Sequence, residues 1–280
     1  MMRDDKTIAF IGAGSMAESI IGGLLKKNLV SPTNITVTNH SNEQRLLDIK
    51  NSFGVNTTPT ATKAVEIADI IILAMKPKHI EEAVASLKPV ITENKLVLSV
   101  LAGVTTSYIE QLLDNPIPVV RVMPNTSAKV GASSTAVSSG YYAAQHHLDQ
   151  AADLFFAIGT VTILEESHLD AVTGISGSGP AYFYYFVEAM SNVAKEAGLP
   201  EEKAKDLIIQ TIYGAAIRLQ SSHLSPGDLY NEVMSPGGTT EAAFQSMESH
   251  RLQESFQKAI HAAINQSKAL GTSTKSYDVQ

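Results

Sequence analysis

The chain has 280 residues, of which 44% are hydrophobic and 18% charged, and a formal net charge of −7, a composition typical of a soluble globular protein. Its acidic balance argues against a surface that binds nucleic acid or an anionic membrane. The absence of cysteine excludes disulfides, thiolate nucleophiles and cysteine-ligated metals, and because we find neither a signal peptide nor a membrane-spanning run, we expect a cytoplasmic protein.

The first predicted element is a short apolar strand at residues 8–11, which is followed by a glycine turn and a helix. The turn has the pattern G-x-G-x-x-A, formed by Gly12, Gly14 and Ala17. Gly12 permits a sharp turn, Gly14 lets the backbone approach a pyrophosphate, and Ala17 is small enough for close helix–strand contact. The N–H groups at the start of the helix would face the phosphates. This context predicts a dinucleotide site, the alternative being an ordinary turn with incidental glycines.

The second predicted strand covers residues 34–39, and its end should lie beside the adenosine ribose. NAD enzymes usually place an acid at this point, but residues 38–42 contain none. Arg45 follows at a distance from which it could reach a 2′-phosphate. This segment therefore favours NADPH over NADH, unless the missing acid is only loop variation.

Three further apolar strands, at residues 69–75, 96–100 and 118–122, are predicted for a parallel sheet that is covered on both faces. Ligands of such sheets bind beyond the carboxyl ends of the strands. The residues that follow or end these strands are Ala74, Met75, Lys76, Pro77, Ala102, Gly103, Met123, Pro124, Asn125 and Thr126. We expect them to line one crevice with the glycine turn, although each end taken alone could simply terminate its strand.

Strands at residues 133–138 and 159–164, with a helix at 143–157 between them, complete the predicted sheet. Strand signals stop after residue 164. We therefore predict an α/β protein with a Rossmann domain at residues 1–164 and an all-helical domain at residues 165–280.

The second domain should consist of successive helices. They are predicted at residues 178–198, 201–220, 239–248 and 251–269. A glycine-rich turn at residues 174–182 should open the first of them, and the chain from residue 271 onward should fray.

A further glycine-rich segment, residues 235–242, should form a turn followed by a helix N-terminus. Adjacent Gly237 and Gly238 let backbone N–H groups converge, and the helix dipole adds positive potential. Such a turn suits a carboxylate, and the hydroxyls of Thr239 and Thr240 could bond a neighbouring polar atom. Plain helix capping is the alternative.

No histidine or lysine base lies on these motifs, and we find no HExxH sequence, nucleophile elbow or metal site. A dinucleotide fold without such a base suits a substrate that needs little proton abstraction. Reduction of an already protonated C=N bond fits this requirement, because the coenzyme brings the hydride and the protein supplies position and electrostatics.

Six motifs follow one another in the chain, at residues 11–17, 75–77, 101–104, 121–126, 177–182 and 234–240. The last, Met-Ser-Pro-Gly-Gly-Thr-Thr, is the most specific. By these motifs the sequence resembles the pyrroline-5-carboxylate reductase family over nearly its whole length. The resemblance implies reduction of L-1-pyrroline-5-carboxylate to L-proline with NADPH, NADH being a weaker coenzyme. It also implies that the helical domain forms homodimers, which in the family often assemble into decamers.

The resemblance further implies roles for individual residues. Backbone N–H groups would hold the substrate carboxylate at Gly237, Gly238, Thr239 and Thr240. The Thr240 hydroxyl would bond the ring nitrogen as the catalytic contact, and Ser235 would support the loop. The coenzyme would contact Gly12, Gly14, Ser15, Met16, Ala17, Asn39, His40, Ala74, Lys76, Pro77, Ala102, Gly103, Met123 and Asn125. Within this set, Ala102, Met123 and Asn125 would neighbour the nicotinamide, and Asn39 and His40 the 2′-phosphate.

One departure and two alternatives accompany this interpretation. Ser127 stands where the family often has proline, and we expect it to loosen one turn near the nicotinamide. A related dehydrogenase for a β-hydroxyacid or another cyclic imine would use a lysine of the helical domain, such as Lys195, Lys203 or Lys205. A regulatory dinucleotide-binding paralogue would have no need of an intact loop at residues 237–240.

Overall fold

A computed structural model describes residues 6–273 of the chain. The described strands are β1 (Ile8–Ile11), β2 (Ile35–Thr38), β3 (Asn56–Thr58), β4 (Ile70–Leu73), β5 (Leu96–Ser99), β6 (Val119–Met123), β7 (Ser133–Ser139) and β8 (Gly159–Ile163). They form one sheet in the order β3-β2-β1-β4-β5-β6-β7-β8. All neighbours are parallel except β6 and β7, which are antiparallel.

The helices of the sheet region are α1 (Ser15–Lys26), α2 (Glu43–Phe53), α3 (Ala61–Glu66), α4 (Ile80–Leu87), α5 (Thr106–Leu113), α6 (Gln145–Phe155) and α7 (Leu169–Val172). Those that follow are α8 (Gly179–Glu196), α9 (Glu201–Ser221), α10 (Pro226–Glu232), α11 (Thr239–Ser249) and α12 (Leu252–Ser273). The strand order reverses between β1 and β4, which is where a doubly wound sheet opens its ligand crevice. The predicted α/β class with an N-terminal Rossmann sheet and a helical C-terminal region is confirmed.

Strands β1, β4 and β5 are buried at every residue, as their uninterrupted apolar sequences predicted. In β1, Ile8 and Phe10 pack into one apolar cluster, and Ala9 and Ile11 into the cluster on the opposite face. This alternation follows from the two-residue period of a strand. The two buried layers hold the strand ends, and with them the crevice, in place.

The glycine-rich segment before α8 is not the turn that we predicted. Residues Thr173–Gly177 form a π-helical turn, in which the Ser178 N–H donates to the carbonyl of Thr173 (2.9 Å). A Cβ added to Gly174 would lie 2.5 Å from Cγ1 of Ile264 on α12. The small residue therefore lets the wide turn continue the helix while it packs closely on α12.

By its internal contacts the chain divides into two compact units. The first unit contains residues up to 180 and those from 262 onward, and the second contains residues 181–261. The division of the chain into functional domains after residue 164 stays a prediction. The expected fraying from residue 271 is wrong for residues 271–273, which are part of α12, and residues 274–280 lie outside the described residues.

The second unit has an aromatic cluster of its own. The ring of Phe256 packs edge-on against Tyr182 and Phe186, with centroid distances of 5.6 and 5.5 Å. Edge-to-face packing of this kind is favourable between aromatic rings. None of the described helices combines the length and the apolar character that a membrane crossing requires.

Asp69 anchors the start of β4 to the residues before β1. Its carboxylate accepts the N–H and the hydroxyl of Thr7 (both 2.8 Å) and pairs with the Nζ of Lys6 (3.1 Å). Burial raises the pKa of this carboxyl, but the hydrogen bonds from Thr7 and the ion pair with Lys6 outweigh burial and hold the pKa below its ordinary value of 3.8. A lowered pKa means that the charged group stabilises the fold above pH 3.8 and that this stabilisation is lost as the pH falls through the folded-state pKa.

We therefore expect Asp69→Asn to lower the free energy of unfolding at pH 7 by about 1 kcal/mol, the scale of lost hydrogen bonds at a partly exposed site. The difference from the wild type should shrink below pH about 4, where the wild-type carboxyl also becomes neutral. Urea denaturation between pH 3 and 7 measures both quantities. Asp48→Asn, at an exposed carboxylate on α2, is the matched control, and a difference that stays constant with pH would contradict the prediction.

Candidate functional site

The glycine turn after β1 brings the ends of three strands together. Gly12 has a φ of +116° and donates its N–H to the carbonyl of Thr38 at the end of β2 (3.0 Å). A Cβ added to Gly12 would lie 2.6 Å from the carbonyl oxygen of Ala74, which follows β4. Both the backbone angle and the available space therefore require glycine at this position.

The first turn of α1 presents backbone N–H groups that suit an anion. Gly14 is the N-cap in an extended conformation, and no described side chain caps the helix. A Cβ built on Gly14 would meet only the carbonyl of Ala74, 3.8 Å away. Ser15 is exposed, Met16 half-buried and Ala17 fully buried. This cradle fits the pyrophosphate of a dinucleotide, since the N–H groups and the helix dipole both favour negative charge.

Asn39 shapes the loop that follows β2. Its Oδ1 accepts the N–H groups of Ser41 (3.2 Å) and Asn42 (3.1 Å). Asn42 in turn caps α2 by accepting the N–H of Arg45 (2.9 Å). Asn39 is half-buried and His40 is exposed, so both side chains are presented at the end of β2, where the sequence predicted the adenosine ribose.

Arg45 is already engaged, although the sequence suggested a side chain available for a 2′-phosphate. Its Nε donates to the carbonyl of Ala13 (2.8 Å), and its Nη2 lies 2.5 Å from Oε2 of Glu18. The guanidinium thus spans from α2 to the glycine turn. The sequence analysis did not identify Glu18 as the partner of Arg45. The available signal was an acidic residue in the first turn of a helix that is predicted to bind phosphate.

The remaining predicted coenzyme contacts lie at the same carboxyl edge of the sheet. Ala74 donates its N–H to the carbonyl of Ile11 (2.9 Å). Lys76 is exposed, and Pro77 begins a short 3₁₀ helix, Pro77–His79, as a proline at a helix start can. Met123 ends β6 and is half-buried.

Two glycines allow the end of α12 to pack on the loop after β5. Gly103 has a φ of +76°, and a Cβ there would lie 2.9 Å from both Cβ of Leu270 and the carbonyl oxygen of Ser267. A Cβ added to Gly271 would lie 2.3 Å from the carbonyl oxygen of Gly103. Ala102, which precedes this contact, is half-buried. The loop that contains Ala102 and Gly103, predicted to neighbour the nicotinamide, therefore packs against the C-terminal end of α12.

Asn125 fixes the loop after β6. Its side chain is buried, donates through Nδ2 to the carbonyl of Ser176 (3.1 Å) and accepts the N–H of Ser127 at Oδ1 (3.0 Å). Ser127 was expected to loosen this turn, but its N–H makes a hydrogen bond that a proline could not donate. The serine therefore ties the turn to Asn125.

A buried charge network surrounds Arg121, the central residue of β6, and the sequence analysis did not identify it. The side chain of Arg121 is 2% exposed, and its Nη1 and Nη2 lie 3.4 Å from carboxylate oxygens of Glu166 and Asp170. Glu166 also accepts the N–H (2.8 Å) and hydroxyl (2.6 Å) of Thr106, and Asp170 accepts the hydroxyl of Ser267 (2.8 Å). A lone arginine within an apolar strand was the available signal, because a buried charge needs partners.

In the second unit, the turn before α11 has the geometry of an anion-binding loop. Gly237 has a φ of +71°, and the N–H of Gly238 donates to the carbonyl of Ser235 (2.9 Å). A Cβ added to Gly238 would lie 2.6 Å from Oγ of Ser235. Thr239 and Thr240 then form the first two positions of α11, the former exposed and the latter half-buried.

A carboxylate already sits on this turn. Oε2 of Glu241 accepts the N–H of Gly237 at 2.7 Å, whereas the N-cap, Gly238, has no side chain to contribute. The start of α11 therefore has no side-chain cap from its N-cap residue, and the acid at its third position bonds the N–H of the residue before the N-cap. The turn can hold a carboxylate through its backbone, and the role of the Glu241 side chain was not foreseen.

The structure gathers the predicted coenzyme residues at one edge of the sheet in the first unit. It gathers the predicted substrate residues in one turn of the second unit. The lysines considered for a different dehydrogenase, Lys195, Lys203 and Lys205, are exposed on α8 and α9, away from that turn in the sequence.

Comparisons with known proteins cover nearly the whole chain. Residues 166–270 match the family described as pyrroline-5-carboxylate reductase dimerisation, and residues 7–103 match the family described as NADP oxidoreductase, coenzyme F420-dependent. Pyrroline-5-carboxylate reductase 1 of Bacillus spizizenii is 43% identical over 95% of this chain and 90% of its own length.

Two solved structures are similar along the full fold. A pyrroline-5-carboxylate reductase from Coxiella burnetii is 37% identical with a TM-score of 0.84, over 95% of this chain and 98% of that one. The Plasmodium falciparum pyrroline carboxylate reductase with NADP bound is 27% identical with a TM-score of 0.89, over 96% of this chain and 99% of that one.

Proposed function

The chain belongs to the pyrroline-5-carboxylate reductase family, and from that membership we propose how its residues divide the binding of coenzyme and substrate. The protein is an NAD(P)H-dependent oxidoreductase that reduces L-1-pyrroline-5-carboxylate to L-proline, the last step of proline biosynthesis. The interpretations as another dehydrogenase or as a regulatory paralogue are therefore set aside.

The coenzyme site is proposed at the carboxyl edge of the sheet. The uncapped start of α1 supports a pyrophosphate there, and the absence of an acid after β2 supports NADPH in preference to NADH. Bound NADPH would supply the hydride for the C=N bond. The residues proposed to hold it are Gly12, Gly14, Ser15, Met16, Ala17, Asn39, His40, Ala74, Lys76, Pro77, Ala102, Gly103, Met123 and Asn125.

The substrate site is proposed at the turn of residues 235–240, and one observation carries it. The N–H of Gly237 already holds a carboxylate, that of Glu241, at 2.7 Å. The carboxylate of a cyclic imino acid would be bound by the N–H groups of Gly237, Gly238, Thr239 and Thr240, and it would replace Glu241 and the carbonyl of Ser235 as the acceptors of the first two. The positive end of the α11 dipole adds to this attraction.

The side chains of this protein need only bind and orient the substrate. The imine nitrogen is protonated before reduction, so no residue must remove a proton from carbon. The Thr240 hydroxyl would accept the N–H of the ring and so fix the second end of the substrate, while Ser235 supports the loop through its bond with Gly238. Holding the ring at two points sets its orientation, which is a main source of rate enhancement.

We also propose that the protein forms a homodimer through its helical unit and that dimers assemble into decamers. The small-molecule substrate would be its other binding partner, and its location would be cytoplasmic. Large apolar side chains are exposed on α8 and α9, and a dimerisation surface would cover them. They are Phe183, Tyr184, Tyr185, Val193, Leu207, Ile209, Tyr213 and Ile217.

The double variant Tyr185→Glu/Val193→Glu should dissociate the dimer, because it places two carboxylates on α8 at side chains that are 72% and 63% exposed in the single chain. Sedimentation velocity would show the change as a monomer. Lys195→Glu on the same helix alters the net charge by the same amount and should leave the assembly intact. An unchanged sedimentation coefficient of the double variant would contradict the placement of the interface on α8.

The proposal as a whole is tested by following the absorbance of NADPH, and then NADH, with purified protein and pyrroline-5-carboxylate. Faster oxidation of NADPH is expected. Faster oxidation of NADH would keep the reaction and overturn the proposed preference, and absence of turnover with a folded protein that binds NADPH would overturn the assignment of the substrate turn.

A further inference from the structure

We propose that Glu18 determines how strongly this enzyme discriminates NADPH from NADH, because it holds Arg45 in an ion pair with which a 2′-phosphate must compete. The inference rests on the proposed coenzyme site. It concerns the described contacts of α1, α2 and the glycine turn, all within the first unit.

Contacts of the loop after β2 connect Arg45 to the end of that strand. Arg45 stands in the first turn of α2, where Asn42 caps its N–H (2.9 Å). Asn42 is itself held by Asn39, the residue that directly follows β2. Two hydrogen bonds therefore connect the end of β2 to the backbone of Arg45, and the adenosine ribose of a dinucleotide is bound at that strand end.

Two of the five guanidinium donor directions are used by the protein. Nε donates to the carbonyl of Ala13, and Nη2 lies 2.5 Å from Glu18. The side chains of Arg45 and Glu18 are 27% and 34% exposed, so the pair is neither buried nor fully screened. A planar guanidinium fixed at two points still offers donors on its remaining edge.

The ion pair changes what the coenzyme encounters. NADPH differs from NADH by the dianionic 2′-phosphate, which gains from a cation and loses from a nearby carboxylate. Glu18 supplies that carboxylate from α1 and compensates the charge of Arg45. The pair is therefore close to neutral toward the 2′-hydroxyl of NADH, although residues 38–42 contain no acid.

A different explanation is that the pair merely braces the glycine turn through the carbonyl of Ala13. Such a brace would act on every dinucleotide alike, since the turn contacts the pyrophosphate that all of them share. Discrimination between probes with and without the 2′-phosphate separates the two explanations.

The test measures binding without catalysis, by calorimetric titration of the full protein with 2′,5′-ADP and with 5′-AMP. We expect Glu18→Gln to tighten 2′,5′-ADP by about 2- to 5-fold, the scale of one partly exposed charge interaction, and to leave 5′-AMP unchanged. Arg45→Gln should weaken 2′,5′-ADP by about 10-fold with little effect on 5′-AMP. In the Arg45→Gln background, Glu18→Gln should tighten 2′,5′-ADP by less than it does in the wild type, because only the repulsion between the carboxylate and the phosphate is then removed.

Glu43→Gln, which removes an exposed acid from the same turn of α2, is the matched control and should change neither affinity. Equal changes for both probes, or weaker binding of 2′,5′-ADP by Glu18→Gln, would overturn the proposal. Its failure is distinct from failure of the proposed function: loss of turnover with pyrroline-5-carboxylate and an intact set of nucleotide affinities would overturn only the substrate assignment.

Discussion

Replacing Thr240 by alanine is expected to lower kcat/KM for pyrroline-5-carboxylate by about 10- to 1,000-fold, the effect of removing one positioned polar contact to the reacting group. The hydroxyl belongs to the second residue of α11 and is half-buried beside the turn that holds a carboxylate. Its loss would leave the ring nitrogen without its partner. Steady-state kinetics with a fixed concentration of NADPH measure the effect.

Two conservative variants make this result specific. Thr240→Ser keeps the hydroxyl and should retain most of the activity, whereas Thr239→Ala removes the exposed neighbouring hydroxyl and should cost less than Thr240→Ala. The dissociation constant of NADPH should be the same in all three. Unchanged kinetics of Thr240→Ala would remove this side chain from the mechanism.

Gly238→Val is expected to abolish measurable binding of the substrate while NADPH still binds. A Cβ at this position would lie 2.6 Å from Oγ and 2.9 Å from the carbonyl oxygen of Ser235, and the second of these is backbone that cannot rotate away. The turn must therefore open, and its N–H groups lose their convergence. Titration with L-proline as the product ligand and, separately, with NADPH measures the two sites independently.

Gly227→Val serves as the control for the substitution itself. It lies in the same unit, and a Cβ there would approach no heavy atom closer than 3.5 Å, which is an ordinary contact. It should bind both ligands. If Gly238→Val loses the affinity for NADPH together with that for proline, the substitution has caused a folding defect. Retained affinity for proline would contradict the role of the turn.

The parts of the molecule that could be predicted have local causes. The strand β1, the turn at Gly12 and the helix α1 follow from an apolar run and a glycine spacing within 20 neighbouring residues, and their prediction is confirmed. The family that the six motifs indicated is confirmed by the comparisons. In contrast, β3 consists of the polar residues Asn56–Thr58 at the sheet edge, so no apolar alternation marked it.

The parts that could not be predicted depend on contacts between distant residues. Glu18 and Arg45 are 27 positions apart, and Arg121 and Asp170 are 49 apart. A single sequence does not indicate which acidic residue will form an ion pair with a given arginine. The helix α10 was not predicted although its start has a local signal. Ser225 and Asp228 form a capping box, but the helix that follows has only seven residues, too few to show a helical period.

The buried network around Arg121 also constrains how this sequence can change over time. Removing one member of a buried ion pair costs about 3–5 kcal/mol, and the lower end applies here because the carboxylates of Glu166 and Asp170 are 24% and 26% exposed. Total stabilities of folded domains are about 5–15 kcal/mol. A protein that lost one of these three residues by mutation would lose a large share of its stability until a second substitution compensated for the unpaired charge. Arg121 and its two carboxylates are therefore expected to be inherited or replaced as one unit.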